Sequence, residues 1–545
     1  MGVESTSVPT RRVALESGAD NSEVWGDLRP VKRLLIVGGG TAGWITAGYL
    51  ARTLGAQSPD GVQITLVESA DIGILGVGEG TFPSIRTTLK RIGVDETSLV
   101  RECSATFKQG AKFAHWRHAP GESRGAPDHY LHAFQVSHEP SGLDLLPYWL
   151  LGVAGDNVTW DEVNTPQKRV ADASRAPKLI TNSDYLGPLG YAYHFDAVKL
   201  AQFLRRQAIA AGVRHMVDTV DAVNLAQDGA IASVTTREHG ALEADLFIDC
   251  TGFRAQLIGA TLGVPFKSCR SVLFCDTALV MQVPYERPDA PVASYTIASA
   301  HESGWVWDIG LDTRRGVGYV YSSAHTDDTR AEQILRTYVG RAAEGLPARK
   351  IPFNAGYRET NWVRNCVAIG LSSGFFEPLE ATGIMFTEIA AVSLSNLFPW
   401  GGDLETAARQ FNEKMRRRYE RALDFIKLHY CLSERRDSDF WRDNVQPESI
   451  PESLRELLLR WRHRPPGSID IDPNIDIFPD TSWQYVLYGM GYRTDLTPRA
   501  GVLKYYDEAR EAFAEIRRQA DFACRTLPTH RELLDAARRR RFGVA

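Results

Sequence analysis

The chain of 545 residues contains 43% hydrophobic and 24% charged residues and carries a formal net charge of -5. This composition excludes a wholly disordered chain, and the acidic balance argues against a dedicated nucleic-acid-binding protein, because phosphate binding requires a clustered basic surface. No apolar run is long enough to span a membrane, and no secretory signal is recognisable. The seven cysteines form no CxxC pair and show no metal-ligand spacing, which predicts a cytoplasmic protein without a metal site.

The first elements of the chain predict a dinucleotide-binding sheet. Residues 1–30 are polar and without periodicity, and we expect them to form a flexible N-terminal extension. Short apolar runs at 33–38 and 62–68 predict two buried parallel strands, and residues 41–53 between them predict a helix. This βαβ unit is the usual start of a Rossmann-like sheet.

The rest of the chain mixes strands and helices before becoming helical. Short strands are predicted at 246–250, 278–283 and 316–321, and a helix follows Phe195. From about residue 404 the pattern indicates helices only, at 406–429, 451–460, 504–520 and 531–540. This order predicts an α/β fold with a mainly helical C-terminal region.

The segment 38–43 reads Gly-Gly-Gly-Thr-Ala-Gly and fits GxGxxG between the first strand and its helix. Glycines at these positions let the backbone approach a pyrophosphate at the helix N-terminus. Glu68 ends the second strand at the spacing where an acid binds ribose hydroxyls, which favours FAD or NAD over NADP. The alternative is a glycine-rich turn beside an unrelated surface acid. The cofactor-binding residues predicted in this unit are Gly38, Gly40, Thr41, Ala42, Gly43 and Glu68.

Two later segments, 245–254 and 365–374, resemble strands of flavin monooxygenases that contact FAD. They add Asp249, Gly252 and Gly370 to the predicted cofactor site. Only one full GxGxxG occurs in the chain, so a second dinucleotide domain for NAD(P)H is not evident. We therefore expect a separate flavin reductase to supply the FAD in its reduced form.

Four further segments resemble motifs of the flavin-dependent tryptophan halogenases. They are Gly-Val-Gly-Glu-Gly-Thr at 76–81, Ser-Ala-Thr-Phe-Lys at 104–108, Trp-Val-Trp-Asp-Ile at 305–309 and Phe-Glu-Pro-Leu-Glu-Ala-Thr-Gly-Ile at 376–384. The resemblance implies a Rossmann-like FAD-binding domain of the glutathione-reductase type at 31–400, with a mixed sheet and an interleaved substrate-side sheet. It also implies a helical substrate cap at 401–545, and a homodimer is common for such enzymes.

In this family reduced FAD, oxygen and chloride or bromide give hypohalous acid, which a lysine guides to an electron-rich aromatic ring. The resemblance implies that Lys108 is this lysine, and that Glu380 stabilises the cationic ring intermediate and helps remove its proton. The two residues should therefore lie close together. Other implied contacts are with flavin at Gly76, Val77, Gly78 and Glu79, with halide at the amides of Thr382 and Gly383, and with substrate at His132, Phe134, Trp305 and Trp307.

Each of these residues also has an ordinary structural interpretation. Alone, Lys108 is a solvated surface lysine, Glu380 a loop carboxylate, and His132 a structural histidine. Trp305 and Trp307 are two apart, so on a strand they face one side and could simply be core residues instead of a wall between flavin and substrate. Two other functions stay open at this point: a single-component monooxygenase that hydroxylates an aromatic compound, and a flavin-binding protein without catalysis.

The sequence departs from the family pattern in three places. Gly310 replaces a proline after the tryptophan pair, and Ala381 replaces a serine after the glutamate. The segment 475–485 lacks the adjacent tyrosines and the glutamate that hold the amino acid in tryptophan-specific members. This argues against free tryptophan as the natural substrate and leaves indole, another small aromatic or a larger indolic molecule open.

Overall fold

The computed structural model describes residues 29–73, 78–122 and 128–543. Its strands, in chain order, are β1 (Arg33–Val37), β2 (Gln63–Glu68), β3 (Gly78–Gly80), β4 (Thr106–Lys108), β5 (Gly110–Ala114), β6 (His129–Ala133), β7 (Ala192–Asp196), β8 (Arg214–Val217), β9 (Val220–Leu225), β10 (Ile231–Thr236), β11 (Gly240–Leu242), β12 (Leu246–Asp249), β13 (Lys267–Ser268), β14 (Thr277–Pro284), β15 (Thr296–His301), β16 (Gly304–Gly310), β17 (Arg314–Tyr321), β18 (Arg349–Pro352), β19 (Gly356–Tyr357), β20 (Trp362–Val363), β21 (Cys366–Ala368) and β22 (Gly374–Phe375).

The helices of the described residues connect these strands and then form the C-terminal region. In chain order they are α1 (Thr41–Thr53), α2 (Ser84–Ile92), α3 (Glu96–Glu102), α4 (Leu146–Leu150), α5 (Trp160–Val163), α6 (Gln167–Asp172), α7 (Ala197–Ala210), α8 (Asp328–Val339), α9 (Thr382–Asn396), α10 (Leu404–Cys431), α11 (Asp439–Asn444), α12 (Glu452–Arg460), α13 (Asp480–Gly489), α14 (Tyr506–Thr526) and α15 (His530–Arg539).

A six-stranded sheet of order β20-β21-β12-β1-β2-β8 forms the first layer. Its strands are parallel except for the short β20 at the edge. Residues 34–37 of β1 are all buried, as expected for a parallel strand that is covered on both faces. The predicted βαβ unit is confirmed as β1, α1 and β2, and the α/β Rossmann-like fold class is confirmed with it.

A seven-stranded sheet of order β18-β14-β17-β16-β15-β5-β6 forms the second layer. It is antiparallel except where β15 runs parallel to β5. A small sheet of order β3-β7-β4 lies beside it, and β7 pairs with Gly80 through His194 and with Lys108 through Ala192. These two sheets carry the tryptophan pair, His132 and Lys108. Their strands therefore position most of the residues that the sequence predicts to be catalytic or to contact the substrate.

No further strand occurs among the described residues after Phe375, and the segment from α9 onward is mainly helical. The largest cluster of buried apolar side chains runs from Val31 to Phe542, so the C-terminal helices pack on the same core as the sheets. The boundary at residue 400 stays a prediction. Within the described ranges, no helix is long and apolar enough to cross a membrane, and no cluster of metal-ligating side chains occurs.

Candidate active site

A cavity of about 490 Å³ opens where β1, β2 and β12 end and extends to the tryptophan pair on β16. Many predicted site residues line it: Gly38, Gly40, Thr41, Ala42, Glu68, Gly78, Glu79, Lys108, Gly252, Trp305, Trp307, Gly370, Glu380 and Gly383. Five others are not among the lining residues: Gly43, Asp249, His132, Phe134 and Thr382. Gly76 and Val77 lie outside the described residues.

The glycine-rich turn between β1 and α1 shows why side chains are excluded there. Gly38 has φ +110°, and a Cβ on it would lie 2.3 Å from the carbonyl oxygen of Cys250. A Cβ on Gly43 would lie 1.9 Å from the carbonyl oxygen of Gly38, so Gly43 permits the close packing of α1 on β1. Gly40, in contrast, faces open space. The hydroxyl of Thr41, in the first turn of α1, is buried without a hydrogen-bond partner. An open backbone beside an unpartnered hydroxyl fits a pyrophosphate at this helix N-terminus.

Asp249 is not among the residues that line the cavity, and backbone amides after β12 bind its carboxylate. Its contact with the cofactor stays a prediction. Its Oδ1 accepts hydrogen bonds from the amide of Thr251 at 3.0 Å and from the Thr251 hydroxyl at 2.6 Å. Its Oδ2 accepts from the amides of Leu257 and Ile258 at 2.8 and 2.9 Å. Both oxygens of the side chain are therefore used in holding the segment 251–258, and several residues of this segment line the cavity.

Lys108 ends β4 and is 1% exposed, so it is not a solvated surface residue. Its Nζ lies 5.1 Å from the centre of the Phe134 ring, and a Cβ on Gly80 would approach Nζ to 3.3 Å. Burial lowers the pKa of Lys108 to about 8, although the charge of Glu380 opposes the shift. None of the carboxylates that the structure describes forms an ion pair with it.

The strand that carries Lys108 depends on a residue near the other end of the chain. The amide of Phe107 donates a hydrogen bond to Nε2 of His530 at 3.0 Å, and the two residues are 423 positions apart. Nδ1 of His530 donates to the carbonyl oxygen of Val292 at 3.0 Å, which fixes the orientation and tautomer of the ring. Helix α15 thereby supports β4 from behind.

Glu380 stands in the turn before α9, where Glu380 and Ala381 have φ of +62° and +57°. Its Oε1 contacts Nδ1 of His132 at 2.7 Å and Nε2 of His429 at 3.3 Å. Its Oε2 is buried without a partner. Burial alone would raise the pKa of Glu380, but the two imidazoles hold it below its usual range. The structure thus brings Lys108 and Glu380 together on one cavity, as expected from the resemblance.

His132 and Phe134 belong to an aromatic cluster with Phe82, Phe425 and Phe478. Phe82 contacts Phe134 and Phe478 edge-on at 5.0 and 5.6 Å between ring centres, and Phe425 stacks on Phe478 at 4.0 Å. Both ring nitrogens of His132 are engaged, one by Glu380 and the other by the Ser482 hydroxyl at 2.8 Å. His132 is therefore a hydrogen-bonding partner of Glu380, and its contact with substrate stays a prediction.

Sequence reasoning missed several members of this site. They are His429, Ser482, Phe82, Phe425 and Phe478. One signal was available: Phe425 and His429 are four residues apart in the predicted helix 406–429 and so lie on one face of it. Nothing in the local sequence indicated that this face meets Glu380.

Trp305 and Trp307 lie on one side of β16 and both line the cavity, with ring centres 6.4 Å apart. The indole nitrogen of Trp305 donates to Oε1 of Glu377 at 3.2 Å, whereas that of Trp307 is buried without a partner. Gly318 pairs with Trp307 across β16 and β17, and a Cβ there would lie 2.2 Å from the Trp307 ring. The ring therefore lies flat over a position that only glycine can occupy.

Helix α9 directs its N-terminus at the cavity. Gly383 lines the cavity and has no neighbour within 4 Å of a Cβ position, whereas the side chain of Thr382 is buried behind it. The residue that precedes the helix, Ala381, supplies no side-chain cap. The first amides of α9 are therefore free to bind an anion, and the helix dipole favours one.

Comparison with known proteins agrees with this geometry. A family model for tryptophan halogenases matches residues 33–503. The chain belongs to the tryptophan halogenase family. It is 36% identical to tryptophan 6-halogenase SttH of Streptomyces toxytricini over 525 aligned residues. The alignment covers 92% of this chain and 98% of SttH. Its structure matches a tryptophan halogenase from Shewanella frigidimarina with a TM-score of 0.90, at 41% identity over 95% of this chain and 99% of that one. It also matches Tar14, a tryptophan C-6 flavin-dependent halogenase from taromycin biosynthesis, with a TM-score of 0.86, at 37% identity over 93% and 100%.

The chain is therefore an enzyme of the flavin-dependent halogenase class. In this halogenase the segment 475–485 contains a single tyrosine, Tyr485. Trp483 and Tyr485 are buried on α13, and the Tyr485 hydroxyl accepts a hydrogen bond from Asn164 at 2.8 Å.

Proposed function

We propose that this halogenase uses reduced FAD, oxygen and chloride or bromide to halogenate an electron-rich aromatic ring, through hypohalous acid that Lys108 guides. The observation that carries the proposal is the meeting of Lys108 and Glu380, both buried, at the cavity that begins at the glycine-rich turn. A buried ammonium beside a buried carboxylate can polarise an oxidant and receive a proton without bulk water.

The cofactor side of the cavity fits FAD. Gly40 and Thr41 would hold the pyrophosphate, and Glu68, at the end of β2, would hold the ribose. The other cavity-lining glycines, with Glu79, would contact the ring system, and these are Gly78, Gly252 and Gly370. Bound as FADH2, the cofactor would supply, with oxygen, the oxidising power that converts halide to hypohalous acid.

Each residue has a defined task in the reaction. The amides of Thr382 and Gly383 would hold the halide. Lys108 would donate a hydrogen bond to hypohalous acid and direct its halogen to the ring carbon. Glu380 would balance the positive charge of the ring and accept its proton on Oε2, the oxygen without a partner.

Replacing Gly40 by valine should weaken FAD binding at least about tenfold without unfolding the protein. The backbone of Gly40 is extended, with φ -72°, which valine tolerates, and its Cβ would point into the open space reserved for pyrophosphate. Fluorescence titration with FAD and thermal unfolding measure the two effects. Gly467→Val, at another open position, is the control. Equal FAD affinity in Gly40→Val and the native protein would contradict this assignment.

The function is tested by supplying the purified protein with FAD, a flavin reductase, NADH, oxygen and bromide, together with indole or free tryptophan. Mass spectrometry should show a brominated product that requires the reductase. An oxygenated product, with NAD(P)H oxidised in the absence of the reductase, would indicate a monooxygenase. FAD binding without any product would indicate a protein without catalysis. Indole should be the better substrate, because the segment 475–485 lacks the tyrosine pair.

The pH profile should report the protonation of Lys108. Its pKa is lowered to about 8, so the ammonium predominates below that value and is lost above it. We expect kcat to fall as the pH rises through about 8, because only the ammonium can donate to hypohalous acid. A kcat that rises through this range would show instead that the free amine reacts and forms a haloamine. The measurement is the initial rate at saturating indole across the range.

The supply of reduced flavin and the cellular setting are part of the same proposal. A separate reductase follows from the single GxGxxG of the sequence. A homodimer and a cytoplasmic location stay predictions. Size-exclusion chromatography with light scattering measures the first.

A further inference from the structure

The hydrogen bonds of His429 require an additional proton beside Glu380. Nδ1 of His429 lies 3.0 Å from the carbonyl oxygen of Phe425, one turn earlier in α10. A carbonyl oxygen can only accept, so Nδ1 carries a hydrogen. Nε2 of the same ring lies 3.3 Å from Oε1 of Glu380, and an ionised carboxylate can also only accept. A neutral imidazole, with one hydrogen, cannot satisfy both contacts.

The neighbouring contacts decide where this proton resides. Oε1 of Glu380 also receives Nδ1 of His132 at 2.7 Å, and the Ser482 hydroxyl can donate to the other nitrogen of that ring. An oxygen that accepts from two ring nitrogens is stabilised as the anion. The side chains of Glu380, His132 and His429 are at most 1% exposed, so water does not replace either contact.

We propose that His429 is the imidazolium partner of Glu380, and that His132, oriented by Ser482, is its second N–H donor. Together they keep the carboxylate ionised and leave Oε2 as the oxygen that takes the ring proton. The last step rests on the proposed function, whereas the charge state does not. His132 and His429 are positioning residues, since they act through Glu380.

The other groups around the pair are compatible with this charge state. Lys108 and Tyr130 act on Glu380 from β4 and β6, and the pKa of the Tyr130 hydroxyl is raised by burial, so that it stays neutral. Rings of Phe113, Trp116 and Phe425 surround His429 and do not titrate. On the far side of His132, burial raises the pKa of the Tyr485 hydroxyl, so this group stays neutral as well.

The charge state is tested on the protein itself by NMR with 15N-labelled histidine. The His429→Gln variant assigns the signals. Both ring nitrogens of His429 should be protonated at neutral pH, and Glu380→Gln should remove one of these protons. A His429 that carries a single ring proton at neutral pH in the native protein overturns the proposal, whether or not the protein halogenates anything.

The effect on catalysis has its own readouts. His132→Leu removes an N–H donor from Glu380, so burial should raise the pKa of that carboxyl and move the acid limb of the kcat profile up by about one to two pH units. His132→Asn, which places an N–H near Nδ1, should restore the limb. Ring-deuterated indole should then show an isotope effect in the leucine variant, because proton removal has become slow. If His132→Leu shows neither a shift of the acid limb of the kcat profile nor an isotope effect, His132 contributes only packing and does not position Glu380.

Discussion

Halogenation should fall at least about 10²-fold when Lys108 is replaced by methionine, while FAD binding is retained. Methionine nearly fills the space of the lysine stem but cannot donate to hypohalous acid. The same change should stabilise the fold by about 3 kcal/mol at neutral pH, because burial lowers the pKa of Lys108 from 10.5 to about 8. The folded protein bears the cost of the buried charge below about pH 8. That cost disappears as the pH rises towards about 10.5, where the unfolded chain also loses the proton.

The matched control is Lys112→Met, four residues after Lys108 and in the middle of β5. Lys112 pairs with Asp172 at 2.9 Å and is partly exposed. Its replacement should leave turnover unchanged and should not raise the melting temperature. Turnover within a factor of two of the native enzyme in Lys108→Met would remove Lys108 from the mechanism.

Glu380→Gln should reduce halogenation about 10²- to 10³-fold. Glutamine keeps the size of the side chain but cannot accept a proton at the position of Oε2 or balance the charge of the ring. Product formation per consumed NADH should fall, because oxidant is still produced but not used. The assay compares brominated indole with NADH consumption.

Glu388→Gln provides the control for a buried carboxyl. Glu388 lies in α9 and accepts a hydrogen bond from Thr88 at 2.5 Å. Burial raises the pKa of Glu388 to about 8, so the amide replaces an acid that is already neutral at pH 7. We expect turnover near that of the native enzyme. Equal losses in both variants would mean that the Glu380 effect is structural.

Local sequence was sufficient to predict the secondary structure around the glycine-rich turn. The run 33–38, the glycines after it and the helix 41–53 are determined by neighbouring residues, and β1 and α1 follow them closely. The same holds for β14, β17 and α10, because their apolar patterns are regular. The C-terminal end of one helix was misplaced: the sequence predicted an end at residue 520, whereas α14 continues to Thr526. The apolar periodicity is weak in this last part of the helix. Pro528, which follows it, disfavours a further turn.

The support of Glu380 could not be predicted in this way. His132 is 248 positions from Glu380 and 350 from Ser482, and nothing in their local sequence indicates these contacts. The environment of Asp249 could not be predicted either. The resemblance to FAD-contact strands suggested Asp249 as a cofactor ligand, and local sequence does not indicate that amides after β12 donate to both of its oxygens. Hydrogen-bond satisfaction depends on the assembled structure, not on spacing.

The contact between Phe107 and His530 has a consequence for how the protein is made. The ribosome releases β4 long before α15, and the acceptor for the Phe107 amide emerges 423 residues later. A chain halted before α15 would hold Lys108 on a strand whose buried amide lacks its partner. Contacts of such long range slow folding, and nascent chains that wait for them expose apolar surface. Expression should therefore benefit from slow synthesis at low temperature.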